Sequence, residues 1–228
     1  MSEEANTEAL ILGVMPFKEY DRIVTIFTPY LGLVKFYFKG RQLNQRQMPL
    51  TPLTRLDLLY KQGQSDLLQC KDIKILDSYQ ALREDYTFLK VGCDMANAMI
   101  ISQYPHKPAP HLYALLLFYL QRIPFCPQTI LSSFYLKTLI HEGLLSSLDK
   151  CAACQDDLQE AHLASGEAYC NKHAQPYSFS FNAEEWIQFC LLAKSRSFSE
   201  LQQSVVSLEL SQKIEQFFKV ALEVKEYN

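Results

Sequence analysis

Glycine is scarce in this chain, with seven among 228 residues, about 3% against a typical ~7%. A phosphate-cradling loop needs glycines that let the backbone approach the anion, and no G-x-x-x-x-G-K, G-x-G-x-x-G or G-x-S-x-G run occurs. These absences argue against a P-loop NTPase, a dinucleotide-dependent enzyme and an α/β-hydrolase. HEGLL at 141–145 opens like a zinc-protease helix but lacks the second histidine four residues on that would complete the metal pair. No local set of serine, histidine and carboxylate marks a nucleophile with its base. The chain is therefore expected not to be an enzyme.

Long apolar runs are missing as well. The longest, Leu112 to Leu120, falls far short of the roughly 20 residues that span a bilayer as a helix. The first ten residues, MSEEANTEAL, are acidic and polar where an export signal has a basic start and about 7–15 apolar residues. A soluble, cytoplasmic protein without a membrane partner is expected. Excess charge is lacking too: the formal net charge is -3 and the pI ≈ 6.0, so a polyanionic partner has to be argued from where the charges sit. The seven cysteines are an odd number. In an unexported chain they read as metal ligands plus buried thiols rather than a disulfide framework.

What is present begins with alternation. Up to about residue 76 the apolar pattern has a period near two, giving five expected strands at 9–14, 22–28, 33–39, 54–61 and 65–76. In the third, Val34, Phe36 and Phe38 share one side while Lys35, Tyr37 and Lys39 share the other, the pattern of a half-buried strand. Gly32 and Gly63 fall between strand pairs, where a turn can require a positive φ. Five short antiparallel strands in this length point to an OB-like barrel, with an SH3-like barrel as the alternative.

After Asp77 the spacing becomes helical: Leu82, Tyr86, Leu89, Cys93, Ala96 and Ile100 recur at steps of four and three. Prolines at 105–110 and at 124 and 127 punctuate further helices near 111–123 and 129–145, and two more are expected near 183–194 and 207–226. The fold class is thus α+β. A five-stranded OB-like β-barrel over 1–77 is followed by a helical domain over 78–228, with a zinc finger inserted at about 148–176.

The insertion is defined by its ligands. Cys151 and Cys154 form C-x2-C, and after fifteen intervening residues Cys170 and His173 form C-x2-H, a zinc-ribbon-like spacing. Two residues between paired ligands let both reach one tetrahedral ion, and three thiolates with an imidazole close the shell against substrate. One structural Zn2+ is expected, ordering a stretch too polar to have a core of its own. His162 is the alternative fourth ligand, less suited by position. Cys70, Cys93, Cys126 and Cys190 sit among apolar neighbours and are expected to be small core residues.

Charge is concentrated in one segment. From Arg22 through Leu56 there is no aspartate or glutamate, yet Arg22, Lys35, Lys39, Arg41, Arg46 and Arg55 lie there. From Ala81 onward 12 basic residues face 16 acidic ones. Because screening limits interactions to about 8 Å at physiological salt, such a local set can hold phosphates on an acidic protein. The six cations are the candidate DNA-binding residues. Tyr30, Phe36, Tyr37 and Phe38 interleave with them. Phe36 and Phe38 are expected in the core, and an exposed Tyr37 could stack on a base.

Two segments resemble a known family. EALILGVMPFKEYDRIVTIFTPYLGLVKFYFKGRQ is similar to the opening of RecO, the bacterial recombination mediator, in its strand, acidic-x-acidic-Arg turn, V-T-I-F-T strand, L-G-L and K-G-R close. FYLKTLIHEGLLSSLDKCAAC resembles the family's signature helix ending in Gly-Leu and running into C-x2-C. The resemblance implies an N-terminal OB-fold, a helical C-terminal domain and an embedded zinc finger held by Cys151, Cys154, Cys170 and His173. The family pattern is commonly four cysteines, so His173 is a departure, as is the low pI. It also implies binding of single- and double-stranded DNA and annealing of complementary strands. RecR and the SSB C-terminal tail are implied as partners, with help to RecA loading and a place at the nucleoid when DNA is damaged. Lys35, Lys39 and Arg41 fall where the family's DNA contacts would be. Two other readings stand beside a DNA-strand mediator: a protein-interaction adaptor with weak or no DNA binding alone, and an RNA-binding OB module.

Overall fold

The computed structural model describes residues 4–40, 50–61 and 67–226, and the side chains of the last helix up to residue 223. Gly63 lies outside the described residues. Two compact units divide between Pro124 and Phe125.

In the first unit, β1 (Glu4–Phe17), β2 (Asp21–Thr28), β3 (Gly32–Phe38), β4 (Arg55–Lys61) and β5 (Leu67–Asp77) close a barrel in the order β1-β2-β3-β5-β4. All pairings are antiparallel except β3 with β5, which runs parallel over Lys35–Tyr37 and Leu67–Gln69. This is the five-stranded arrangement of an OB-like barrel. Strand β1 starts earlier than its apolar pattern suggests because it pairs twice, with β4 over Glu4–Leu10 and with β2 over Leu10–Phe17. Residues 4–8 are mostly polar and exposed, so nothing apolar announced them. A register shift between Ile11 and Gly13 bends the strand where it changes partner, the usual work of a bulge. Val24, Ile26, Val34, Phe36, Leu56 and Leu58 fill the interior, and Phe36 and Phe38 are buried as expected.

Helices α1 (Gln80–Arg83), α2 (Tyr86–Ser102) and α3 (Pro110–Leu120) complete the unit. Asp85 caps α2 by accepting from the Phe88 N–H, and Pro110 supplies the preset φ in the first turn of α3. The buried face of α2 runs through Val91, Gly92, Met95, Ala96 and Met99, which corrects the expected stripe. Tyr86 is 81% exposed, and Cys93, expected in the core, is exposed too. A Cβ on Gly92 would stand 2.7 Å from Leu53 Cδ1, so the close approach is made at Gly92, and the buried face turns toward Val91, Met95 and Met99 and away from Tyr86 and Cys93.

The second unit is built round α4 (Pro127–His141), with strands β6 (Ala161–Ala164), β7 (Glu167–Tyr169) and β8 (Phe179–Phe181), then α5 (Ala183–Lys194), α6 (Phe198–Gln203) and α7 (Leu208–Glu226). Strands β6 to β8, absent from the sequence expectation, form an antiparallel sheet in the order β7-β6-β8. Helix α4 is buried on almost every side, so its hydroxyls need partners. Ser133 Oγ donates to the Leu192 carbonyl (2.7 Å), Thr129 Oγ1 to that of Ser204 (3.1 Å) and Ser132 Oγ to Ser211 Oγ (3.2 Å). Asn182 and Glu185 form a reciprocal capping box on α5, and Phe181, Trp186 and Phe189 pack ring against ring beneath the sheet.

Candidate metal centre and nucleic-acid face

The four expected metal ligands come together. One ligand atom from each of Cys151, Cys154, Cys170 and His173 lies within 4.8 Å of the others. Three separations are 3.8 Å (Cys151 Sγ to His173 Nδ1), 3.9 Å (Cys154 Sγ to Cys170 Sγ) and 3.3 Å (Cys170 Sγ to His173 Nδ1). A tetrahedral ion bound by sulfur at about 2.3 Å sets sulfur–sulfur edges of about 3.8 Å. The donors therefore fit a four-coordinate ion, and His162 is occupied elsewhere, its Nε2 2.7 Å from Asn171 Oδ1.

Local turns aim the ligands. The Gln155 N–H donates to the Cys151 carbonyl (2.9 Å) and the His173 N–H to that of Cys170 (2.9 Å), so each pair sits on a tight turn. The two turns are held side by side by β6 and β7 and by the Ala152 N–H, which donates to the Ala168 carbonyl (2.8 Å). Ser165 (φ 49) and Gly166 (φ 79) make the reversal between these strands, where both central residues need positive φ. A Cβ on Gly166 would also lie 2.2 Å from the Leu144 carbonyl oxygen. The stretch has a small core after all: Cys151, Ala161, Leu163 and Ala168 are at most 1% exposed. Burial opposes ionisation of Cys151, but N–H groups of Cys170, Cys154 and Ala153 outweigh it and bring the thiol down to about 6. Cys154 goes the other way: the Asp156 N–H favours its thiolate, yet desolvation and the Cys151, Asp156 and Cys170 side chains together push it up.

The barrel carries the second feature. On its outer face the register sets Met15 beside Ile23 beside Tyr37, and the next row sets Gly13 beside Thr25 beside Lys35. Lys35 and Lys39 are exposed on β3 and just beyond it. Asp21 is turned to structure: its carboxylate accepts from the Tyr37 hydroxyl and from the Gly40 N–H (2.9 Å). The Tyr37 hydroxyl first, then Gly40, hold the Asp21 carboxyl below the usual range, with Lys18 and Lys39 adding to this against desolvation. Tyr37 meets Phe17 edge to face at 6.1 Å, and Lys18 Nζ lies 5.5 Å from the Phe17 ring centroid. Lys18, Lys35 and Lys39 thus flank exposed or half-exposed aromatics on one face of β1 to β3.

The other expected contacts are dispersed. Arg22 is half-buried opposite Phe38, donating to the Asp21 carbonyl (2.8 Å). Arg55 binds Glu8 through two nitrogens at 2.7 and 3.2 Å, and the Glu8 hydrogen bond holds its guanidinium more firmly protonated. Arg41 and Arg46 lie outside the described residues. Tyr30 is 74% exposed in the β2–β3 turn. Lys18 was missed because the acid-free window opens at Arg22. Counting charges does not show that Asp21 is engaged by Tyr37 and Gly40.

Comparison with known proteins agrees with this architecture. The family described as "Recombination protein O N terminal" matches residues 1–79, and "Recombination protein O C terminal" matches residues 84–225. The chain is 28% identical over 197 residues to DNA repair protein RecO of Chlamydia trachomatis serovar D, covering 84% of this chain and 81% of that one. It is 26% identical over 222 residues to DNA repair protein RecO of Chlamydia muridarum, covering 95% of each. With DNA repair protein RecO of Thermodesulfovibrio yellowstonii it shares 30% identity over 187 residues, 78% of this chain and 73% of that one. A closed barrel, a helical unit with a Cys3His cluster and family matches spanning both units agree: the chain belongs to the RecO family of DNA repair and recombination proteins.

Proposed function

We propose that the chain is a non-enzymatic DNA-strand mediator. It binds single- and double-stranded DNA on the β1–β3 face, anneals complementary strands, and with RecR helps RecA load onto SSB-coated DNA. The observation that carries this is the set Lys18, Lys35 and Lys39 around Phe17 and Tyr37, beside which Asp21 is already engaged. Cations neutralise the repulsion between two strands, and exposed rings accept bases without regard to sequence. In this reading Arg22, Arg41 and Arg46 extend the cationic set, while Arg55 contributes least because Glu8 offsets it. The ion at the four-ligand cluster is Zn2+, structural in role, and the SSB tail and RecR dock away from the barrel face. The protein works in the cytoplasm, at the nucleoid when DNA is damaged.

The test is annealing of complementary oligonucleotides, plain and SSB-coated, across a salt series without nucleotide. Annealing that falls steeply with salt, and that weakens in a Lys18→Glu/Lys39→Glu variant of unchanged melting temperature, supports the mediator. A flat salt response removes the electrostatic mechanism. The acidic balance from Ala81 onward, 12 basic against 16 acidic residues, favours one second reading, an adaptor that recruits partners and binds DNA weakly alone. Capture by RecR or the SSB tail with no annealing and no DNA binding selects it.

A further inference from the structure

The barrel unit holds a groove of ≈ 630 Å³, within the range of about 300–1,000 Å³ common for ligand sites. Leu33 and Leu67 give it an apolar strand wall, and Ile100 lines it from the end of α2. Thr25, Gln103 and His106 add three polar groups, and Lys35 adds a cation. Among the described residues no carboxylate lines it.

The groove is preformed. Leu33 bridges Pro105, and the His106 N–H donates to the Leu33 carbonyl (3.1 Å). His106 has φ 60, a left-handed conformation that residues other than glycine adopt rarely. On the strand side Gly32 has φ +66, and a Cβ there would stand 2.0 Å from the Lys107 carbonyl oxygen. Strand β3 and the 104–107 segment are therefore held at a distance that only glycine permits, with a strained residue at the rim. Strain of this kind clusters at ligand sites.

Lys35 belongs to both features. In register with Thr25 it stands in the outward row of the β1–β3 face, and it also lines the groove. That continuity, with a cation and no carboxylate among the described lining residues, selects the occupant. We propose that the groove receives one unstacked nucleobase of a single strand lying on the β1–β3 face, while Lys35 holds the phosphate beside it. This rests on the DNA-binding reading of that face.

The apolar wall takes the faces of the base. Hydroxyl, carboxamide and imidazole groups can each donate or accept, so the groove tolerates any base edge. A duplex has no loose base to offer and must extrude one at the expense of stacking and pairing. The groove thus gives the protein a preference for single strands that the surface cations alone would not.

The experiment measures fluorescence anisotropy of labelled single-strand and duplex oligonucleotides with the full-length protein, comparing wild type, Ile100→Trp and Lys18→Glu/Lys39→Glu. Ile100 is 36% exposed, so tryptophan fills the groove from its rim. The expected result is an about tenfold loss of single-strand affinity, the size of one base contact, with duplex affinity and melting temperature unchanged. The charge-reversed variant weakens both. In parallel, wild type should brighten a strand containing 2-aminopurine as a base leaves the stack, and Ile100→Trp should abolish that rise. Single-strand affinity of Ile100→Trp equal to wild type, or no 2-aminopurine response in wild type, overturns the groove and leaves the face intact. No single-strand binding by wild type overturns both.

Discussion

The barrel and the region of the Cys/His cluster are packed in opposite ways. The barrel interior is a continuous set of large side chains, with Val24, Ile26, Phe36, Leu56 and Leu58 fully buried. The sheet next to the ligands has strands of four, three and three residues, and the buried residues of β6 and β7 are two alanines and a leucine. On the proposed reading of the four-residue cluster, bonds to an ion supply beside β6 and β7 what apolar contact supplies in the barrel.

That contrast can be broken from either side. The largest expected effect is at Cys151: Cys151→Ser, or chelation, should unfold the 148–176 stretch. Structural zinc contributes roughly 10–16 kcal/mol of apparent binding energy in zinc-finger peptides, and only part of that can be replaced by the small core here. Calorimetry should show a separate early transition, with the barrel transition unmoved; one unchanged transition would refute a structural ion. Next is Phe36→Ala, a deletion from the barrel centre costing about 3–5 kcal/mol, read by urea denaturation, with metal content unaffected. Gly166→Ala comes third. It combines φ +79 with a Cβ placed 2.2 Å from Leu144 oxygen and should cost about 1–3 kcal/mol, accompanied by weaker metal retention. The smallest is Asp21→Asn. The folded Asp21 carboxyl lies below 3.8, so its contribution is fully present above that value and is lost as pH falls through the lower folded one. Wild-type stability should therefore decline more steeply than that of Asp21→Asn in acid, and identical pH profiles would remove Asp21 as the clamp.

How far the sequence could be read follows the same contrast. Alternation located all five barrel strands because each has one face on a core of large residues. It missed the residues of β1 before Ala9, where the strand is paired but polar. Ligand spacing picked out the four residues that cluster, down to His173, since knuckle geometry is local. The β6–β8 sheet left no comparable signal: its strands are shorter than one cycle of a convincing alternation. Helix α2 was placed correctly in the chain and Ala96 is buried as expected, but the stripe was rotated, because Tyr86 and Cys93 outweigh Gly92 in any hydrophobic count and yield to it in close packing. On the barrel face the cations were visible as residues. Which of them stand together was not, since Lys35 and Lys39 share a face with Lys18 while Arg55 pairs with Glu8 from another strand.

The double pairing of β1 bears on how the chain is made. Glu4–Leu10 finds its partner only in β4, at residues 55–61, and β3 meets β5 only at 67–69. A chain growing from the ribosome therefore carries an open strand edge from its first turn until the whole barrel sequence has emerged. Such edges invite pairing with other chains, and closure over this separation is slow compared with local helix formation. The polar, acidic start of β1, Glu4, Asn6, Thr7 and Glu8, sits on that edge, and charged, polar residues are what blunts an exposed strand edge against pairing with other chains.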